Sequence, residues 1–90
     1  MSKKSKPKIR IDWRIDGDSP WMSFGCSFTI EEARARVRII RMSSKAKALE
    51  TRIAKYRECA DGAYRWIVTV DNNDKYVGDD EVEAKITRDA

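Results

Sequence analysis

Residues 33–56 read ARARVRIIRMSSKAKALETRIAKY. Whether this stretch is one helix or two elements decides the fold, because nearly everything on either side of it reads as strand. Its upstream boundary is explicit. Thr29 precedes Ile30, Glu31 and Glu32, and a Thr with Glu three residues on forms a capping box in which each side chain satisfies an orphan backbone N–H. Glu31 and Glu32 also complement the positive end of the helix dipole. Downstream, no Gly or Pro intervenes before Gly62. Ala35, Ile39, Met42, Ala46, Leu49, Ile53, Tyr56 and Ala60 step alternately by four and three residues, which predicts one continuous helix from about residue 30 to 60, running through Ser43–Ser44 and stopped by Asp61–Gly62.

The flanks alternate with period two instead. In KIRIDWRID (8–16), Ile9, Ile11, Trp13 and Ile15 interleave with charged residues, the pattern of a half-buried strand with its charges outward. After the turn residues GDSP (17–20), WMSFGCSF (21–28) places Met22, Phe24, Cys26 and Phe28 on one side and small residues on the other, giving an antiparallel hairpin. YRWIVTV (64–70) is a further strand, with Tyr64, Trp66, Val68 and Val70 on one face. DNND (71–74) turns into a return strand from KYVG (75–78), and DDEVEAKITRDA (79–90) reads as strand or as a short capped helix. The expectation is an α+β fold of order β-β-α-β-β: two antiparallel hairpins and one long central helix packed on the sheet. Residues 1–7, MSKKSKP, form a flexible basic arm, and 8–90 a single small domain.

A helix of that length spans ~45 Å and a nine-residue strand only ~28 Å, so the rod overhangs any sheet its own chain can build. Ile30, Ala33, Val37 and Ile40 lie on a different side from the four-three row, so one face covers the sheet and the other needs a neighbour. Trp21, Ile39, Met42, Leu49, Ile53 and Tyr56 are therefore the candidate partner interface, and a homodimer the simplest occupant.

Charge supplies the functional expectation. The chain of 90 residues carries +4 overall, divided as +8 over residues 1–60 and −4 over 61–90. On a straight helix Arg34, Arg38, Arg41, Lys45 and Arg52 fall within an arc of ~60°. Between Ala33 and Leu49 there are six basic residues and no acid. With Lys3, Lys4, Lys6, Lys8 and Arg10, this ridge has the layout of a phosphate-backbone binding surface with little base readout. An acidic protein surface would suit the same groups. The hairpin leading through SFT and EEA into a helix loosely resembles small accessory proteins of phages and mobile elements. The alternative is a protein-interaction module, such as a phage-encoded anti-defence (anti-CRISPR-like) inhibitor of a host complex, whose basic face occupies an acidic patch or whose acidic C-terminal half mimics nucleic acid.

Chemistry is argued against. There is no His, no nucleophile–base motif and no Gly-rich phosphate loop. Cys26 and Cys59 lack ligand spacing and read as core thiols. The acidic residues 71–81 lack a calcium-loop register. No catalytic residue, metal, cofactor or small-molecule substrate is expected. No apolar run is long enough for a membrane span, and a cytoplasmic location is the expectation.

Overall fold

A computed structural model of the chain describes residues 8–26, 28–45 and 49–86. The N-terminal arm, and the end of the tail expected as strand or helix, lie outside them. The fold is α+β, with one helix and a four-stranded antiparallel sheet: β1 (Ile9–Arg14), β2 (Met22–Cys26), α1 (Ile30–Ser43), β3 (Glu50–Glu58) and β4 (Tyr64–Val70). The strand order is β2-β1-β3-β4. Among the described residues no helix is long and apolar enough to cross a membrane.

The expected helix from 30 to 60 is corrected: it has 14 residues and ends at Ser43, where Ser44 turns extended (φ −84°, ψ 142°). Residues 50–58 are instead the third strand, central in the sheet and antiparallel to both β1 and β4. Ala, Leu, Glu, Lys and Arg are good helix formers, but tertiary pairing overrides local preference when a strand has partners on both edges. The alternation that would reveal β3 is concealed because both of its faces are covered. Thr51 and Ile53 lie under α1, while the adjacent Ala54 is buried from the other side. The overhanging rod, and with it the length argument for a partner, does not exist.

The start of α1 forms as the sequence indicates. The Thr29 hydroxyl accepts from the Glu32 N–H at 3.2 Å, and the Glu32 carboxylate accepts from the Thr29 N–H at 3.0 Å. The helix lays Ile30, Ala33, Val37 and Ile40 on the sheet, where they meet Ile9, Ile11, Ile53, Val70 and Phe28 in the main core. The four-three row of Ala35, Ile39 and Met42 faces outward.

β4 serves two cores through an irregularity. Ile53 pairs with Val70 and the next residue, Ala54, with Val68, so Thr69 is the extra residue of a bulge. Val70 thereby joins the helix-side core, whereas Val68 joins Ala54, Ala84, Trp66 and Val77 on the far side. The expected return strand from residue 75 is reduced to isolated bridges, Val70 to Tyr76 and Ile67 to Glu83. Even so, this segment covers the outer edge of β4: Val77 N–H donates to the Thr69 carbonyl, Val68 N–H to Val82, and Ala84 N–H to Trp66, each at 2.8 Å. Asp61–Gly62 ends no helix. It forms the β3–β4 turn, where Gly62 takes φ 86° and Cys59 is buried.

Replacing Thr29 by Ala removes an acceptor from the first turn of α1 and is expected to destabilise the protein by about 1 kcal/mol. Chemical denaturation checks this, and an unchanged midpoint would place the helix start elsewhere.

Candidate nucleic-acid interface

β1 was expected to turn its charges to water, and the sheet does the opposite. Asp12 has no accessible surface, and Arg10 beside it is buried. Strand alternation puts Arg10, Asp12 and Arg14 on the sheet face away from the helix, and the register sets Asp12 opposite Arg52. Asp12 Oδ1 and Oδ2 accept from Arg10 Nε and Nη2 at 2.7 and 2.9 Å, and Oδ2 also accepts from Arg52 Nε at 2.7 Å. The remaining guanidinium donors reach the chain that closes this face: Arg10 Nη2 donates to the Ala84 carbonyl and Arg52 Nη2 to that of Lys85, the latter at 2.7 Å. Burial pushes the Arg52 pKa down while its hydrogen bond to Asp12 opposes the shift. The carboxylate thus fastens both central strands and the C-terminal segment at one point.

Aromatic rings flank this cluster on both sides. Trp21 lies against two guanidinia, Arg14 at 4.2 Å and Arg52 at 4.0 Å from its ring centre. Arg14 in turn holds Glu50. On the other side the Arg10 guanidinium stands 4.7 Å from the Trp66 ring. Trp66 begins a row: Tyr56 lies 5.4 Å from Trp66 and 5.6 Å from Tyr64, centre to centre. Tyr56 and Tyr64 are exposed and Trp66 half-buried. The backbone N–H of Tyr56 donates to the Lys8 carbonyl at 2.9 Å, so exposed Lys8 stands beside this row, where the basic arm joins the sheet. Exposed Glu58, cross-strand from Tyr64, is an acid beside the row on the same face.

The expected basic ridge does not form as one surface. Arg52 belongs to β3, and with Arg10 it is bound to Asp12 on the far side of the sheet from α1. Three helix arginines clasp the turn after β4. Arg34 Nε donates to Asp74 Oδ1 at 3.0 Å, Arg38 Nη2 to Oδ2 at 3.4 Å, and Arg41 Nη2 to Thr51 Oγ1 at 2.9 Å and to the Asn72 carbonyl at 2.8 Å. Arg34, followed by the weaker Arg38 contact, holds the Asp74 carboxyl below the usual carboxylate range. Of the ten cations expected at a phosphate surface, Lys8, Arg38, Arg41 and Lys45 are exposed, the two arginines while bonded to the turn after β4, and Lys3, Lys4 and Lys6 lie outside the described residues.

The expected partner interface also separates. Ile53 is core, Tyr56 lies on the far face and Trp21 packs on arginines. Ile39, Met42 and Leu49 stay together on the helix side. Ile39 and Met42 are 61% and 85% exposed, and Ile39 and Leu49 line an apolar groove of about 610 Å³ with Trp13 and Ile40. Sequence reasoning missed Tyr64 and Trp66 as surface residues. Their i, i+2 spacing in a strand was visible, but Tyr56, the ring that unites them, was assigned to a helix.

Among the described residues no group of His, Cys, Asp or Glu is placed to hold a metal ion. No protein-family model matches the chain, and no curated protein or solved structure matches it either.

Replacing Asp12 by Ala leaves the buried Arg10 and the half-buried Arg52 without their shared carboxylate, and its expected cost is about 3–5 kcal/mol. Urea denaturation reads it, and a loss under about 1 kcal/mol would show the cluster to be dispensable. For the Asp74 clasp, the carboxyl is lowered in the fold from an ordinary 3.8. Its contribution is therefore complete above that value and disappears as pH falls through the folded one. The exposed geometry limits it to under about 1 kcal/mol. Melting temperature should drop less steeply below about pH 4 in Asp74→Asn than in the parent.

Proposed function

We propose that this chain is a non-enzymatic nucleic-acid-binding protein whose ligand face is the side of the sheet opposite the helix, and whose preferred ligand is a single strand. The observation that carries this reading is the row Trp66–Tyr56–Tyr64, with two exposed rings beside Lys8 on the part of the far face next to the C-terminal segment. Unpaired bases stack on such rings, each contact being worth about 1–3 kcal/mol, and the stacking tolerates any base. The three lysines in the seven residues before Lys8 are attached at this face and supply charge for the backbone. This moves the backbone contacts from the helix, where Arg34, Arg38 and Arg41 are engaged with the chain's own turn, to the sheet and the arm.

A second reading is favoured by a different observation, the apolar surface around Ile39 and Met42. Surfaces of that kind mark protein contacts, and a small inhibitor of a host complex would present one. The helix-side groove and the aromatic row lie on opposite sides of the sheet, so the two readings are separable by mutation.

Fluorescence anisotropy with labelled single- and double-stranded oligonucleotides at several salt concentrations tests the first reading. Tighter binding of the single strand is expected. Four lysine–phosphate contacts would give a log–log salt slope of about −3. Tyr56→Ala and Tyr64→Ala should each weaken binding about tenfold or more, Glu58→Lys should strengthen it, and Met42→Lys should leave it alone. Binding of neither strand form at low salt, or binding indifferent to both tyrosines, would overturn the assignment.

A further inference from the structure

The two edges of the sheet are treated differently. The β4 edge is covered by residues 76–84 through main-chain hydrogen bonds. At the other edge β2 pairs with β1, and among the described residues with nothing else. Exposed strand edges are normally blunted with charge, proline or a bulge, because an open row of N–H and C=O groups templates further pairing. β2 has none of these. Its sequence, MSFGC, contains no charged residue in a chain that is 38% charged. β1, β3 and β4 all carry charges.

The neighbouring surface is also apolar. Met22 is half-exposed and sits cross-strand from Trp13 on the helix side of the sheet. Trp13 is a wall of the groove shared with Ile39, Ile40 and Leu49, and α1 packs over β1 and β3 rather than β2. The open edge thus adjoins a mostly apolar groove through Met22 and Trp13, with Arg36 the one charged residue in the groove lining.

We infer that this surface is a homodimer interface formed by antiparallel pairing of β2 with the β2 of a second copy. Antiparallel pairing of identical strands is what a two-fold axis normal to the sheet generates. In that arrangement every β2 residue faces a β2 residue, so no charge opposes a like charge. β2 is also the one strand of the fold able to extend the sheet here without setting a charged side chain beside the groove. The axis keeps both helices on one side, where the two grooves merge over the paired strands and Met22, Ile39 and Met42 of each copy gain cover. The result is a continuous eight-stranded sheet about 35 Å across. If the nucleic-acid reading holds, its two aromatic rows share the opposite side, but the dimer does not depend on that reading.

Sedimentation velocity over a micromolar dilution series, without nucleic acid, tests the interface. The expected result is a monomer–dimer equilibrium that Met22→Lys and Ser23→Lys each weaken at least tenfold, with their circular dichroism melts confirming the fold. Lys75→Ala, at the opposite edge, should leave it unchanged. Hydrogen exchange should show β2 amides slowing as concentration rises. A monomer throughout the series overturns the inference, and so does a dimer indifferent to both β2 substitutions. Oligonucleotide binding by a monomeric Met22→Lys variant would show that the aromatic face works without the dimer.

Discussion

The structure depends on one carboxylate without contact with solvent. Asp12 binds Arg10 on its own strand and Arg52 on the neighbouring strand, and those arginines carry the attachment onward to the main chain at Ala84 and Lys85. Ion pairs removed from water contribute little net stability, since desolvation offsets most of the attraction. What this cluster provides is register. A slip of β1 by one residue would turn the Arg10–Asp12 pair toward the helix-side core and leave the Arg52 guanidinium without its carboxylate. In a domain of 90 residues, where the helix-side core has five buried members among the described residues, that constraint distinguishes the native pairing from its neighbours.

Arginine is used throughout as a joining element. Arg34, Arg38 and Arg41 hold the β4 turn against α1, Arg57 reaches the Gly78 carbonyl at 2.7 Å, and Arg14 bridges Glu50 and Trp21. The planar guanidinium suits this work because it donates in several directions while covering an aromatic face. The basic content of the chain is therefore a poor guide to charge on offer at the surface. Part of the separation of a basic first two-thirds from an acidic last third is used within the fold, where Arg34, Arg38 and Arg57 pair with Asp74 and Glu81.

Legibility in the sequence followed solvent exposure. The start of α1 was plain because a capping box is local chemistry at a water-facing end, and the face formed by Ile30, Ala33, Val37 and Ile40 was read as one side of a helix. β1 was plain as a strand, but its polar residues were misplaced, because alternation reports period and not which face is dry. β3 was misread altogether. Covered on one side by α1 and on the other by the C-terminal segment, it shows no clean alternation. Its helix-forming composition fits a four-three spacing, and only pairing partners distant in sequence distinguish the alternatives. The aromatic row was lost for the same reason, since it requires Tyr56 to be cross-strand from Trp66.

The bulge at Thr69 changes the phase of β4 midway, so that Val70 and Val68 answer to different layers of the molecule. The strand is thereby divided into two stretches under separate demands. Beyond the bulge, side-chain size is dictated by what α1 leaves room for. Before it, Tyr64 and Trp66 lie on the far face, where Trp66 packs on Ala54, Val68 and Ala84 and not on the helix. A small fold has in this way split one strand between two packing layers, each with its own steric demands.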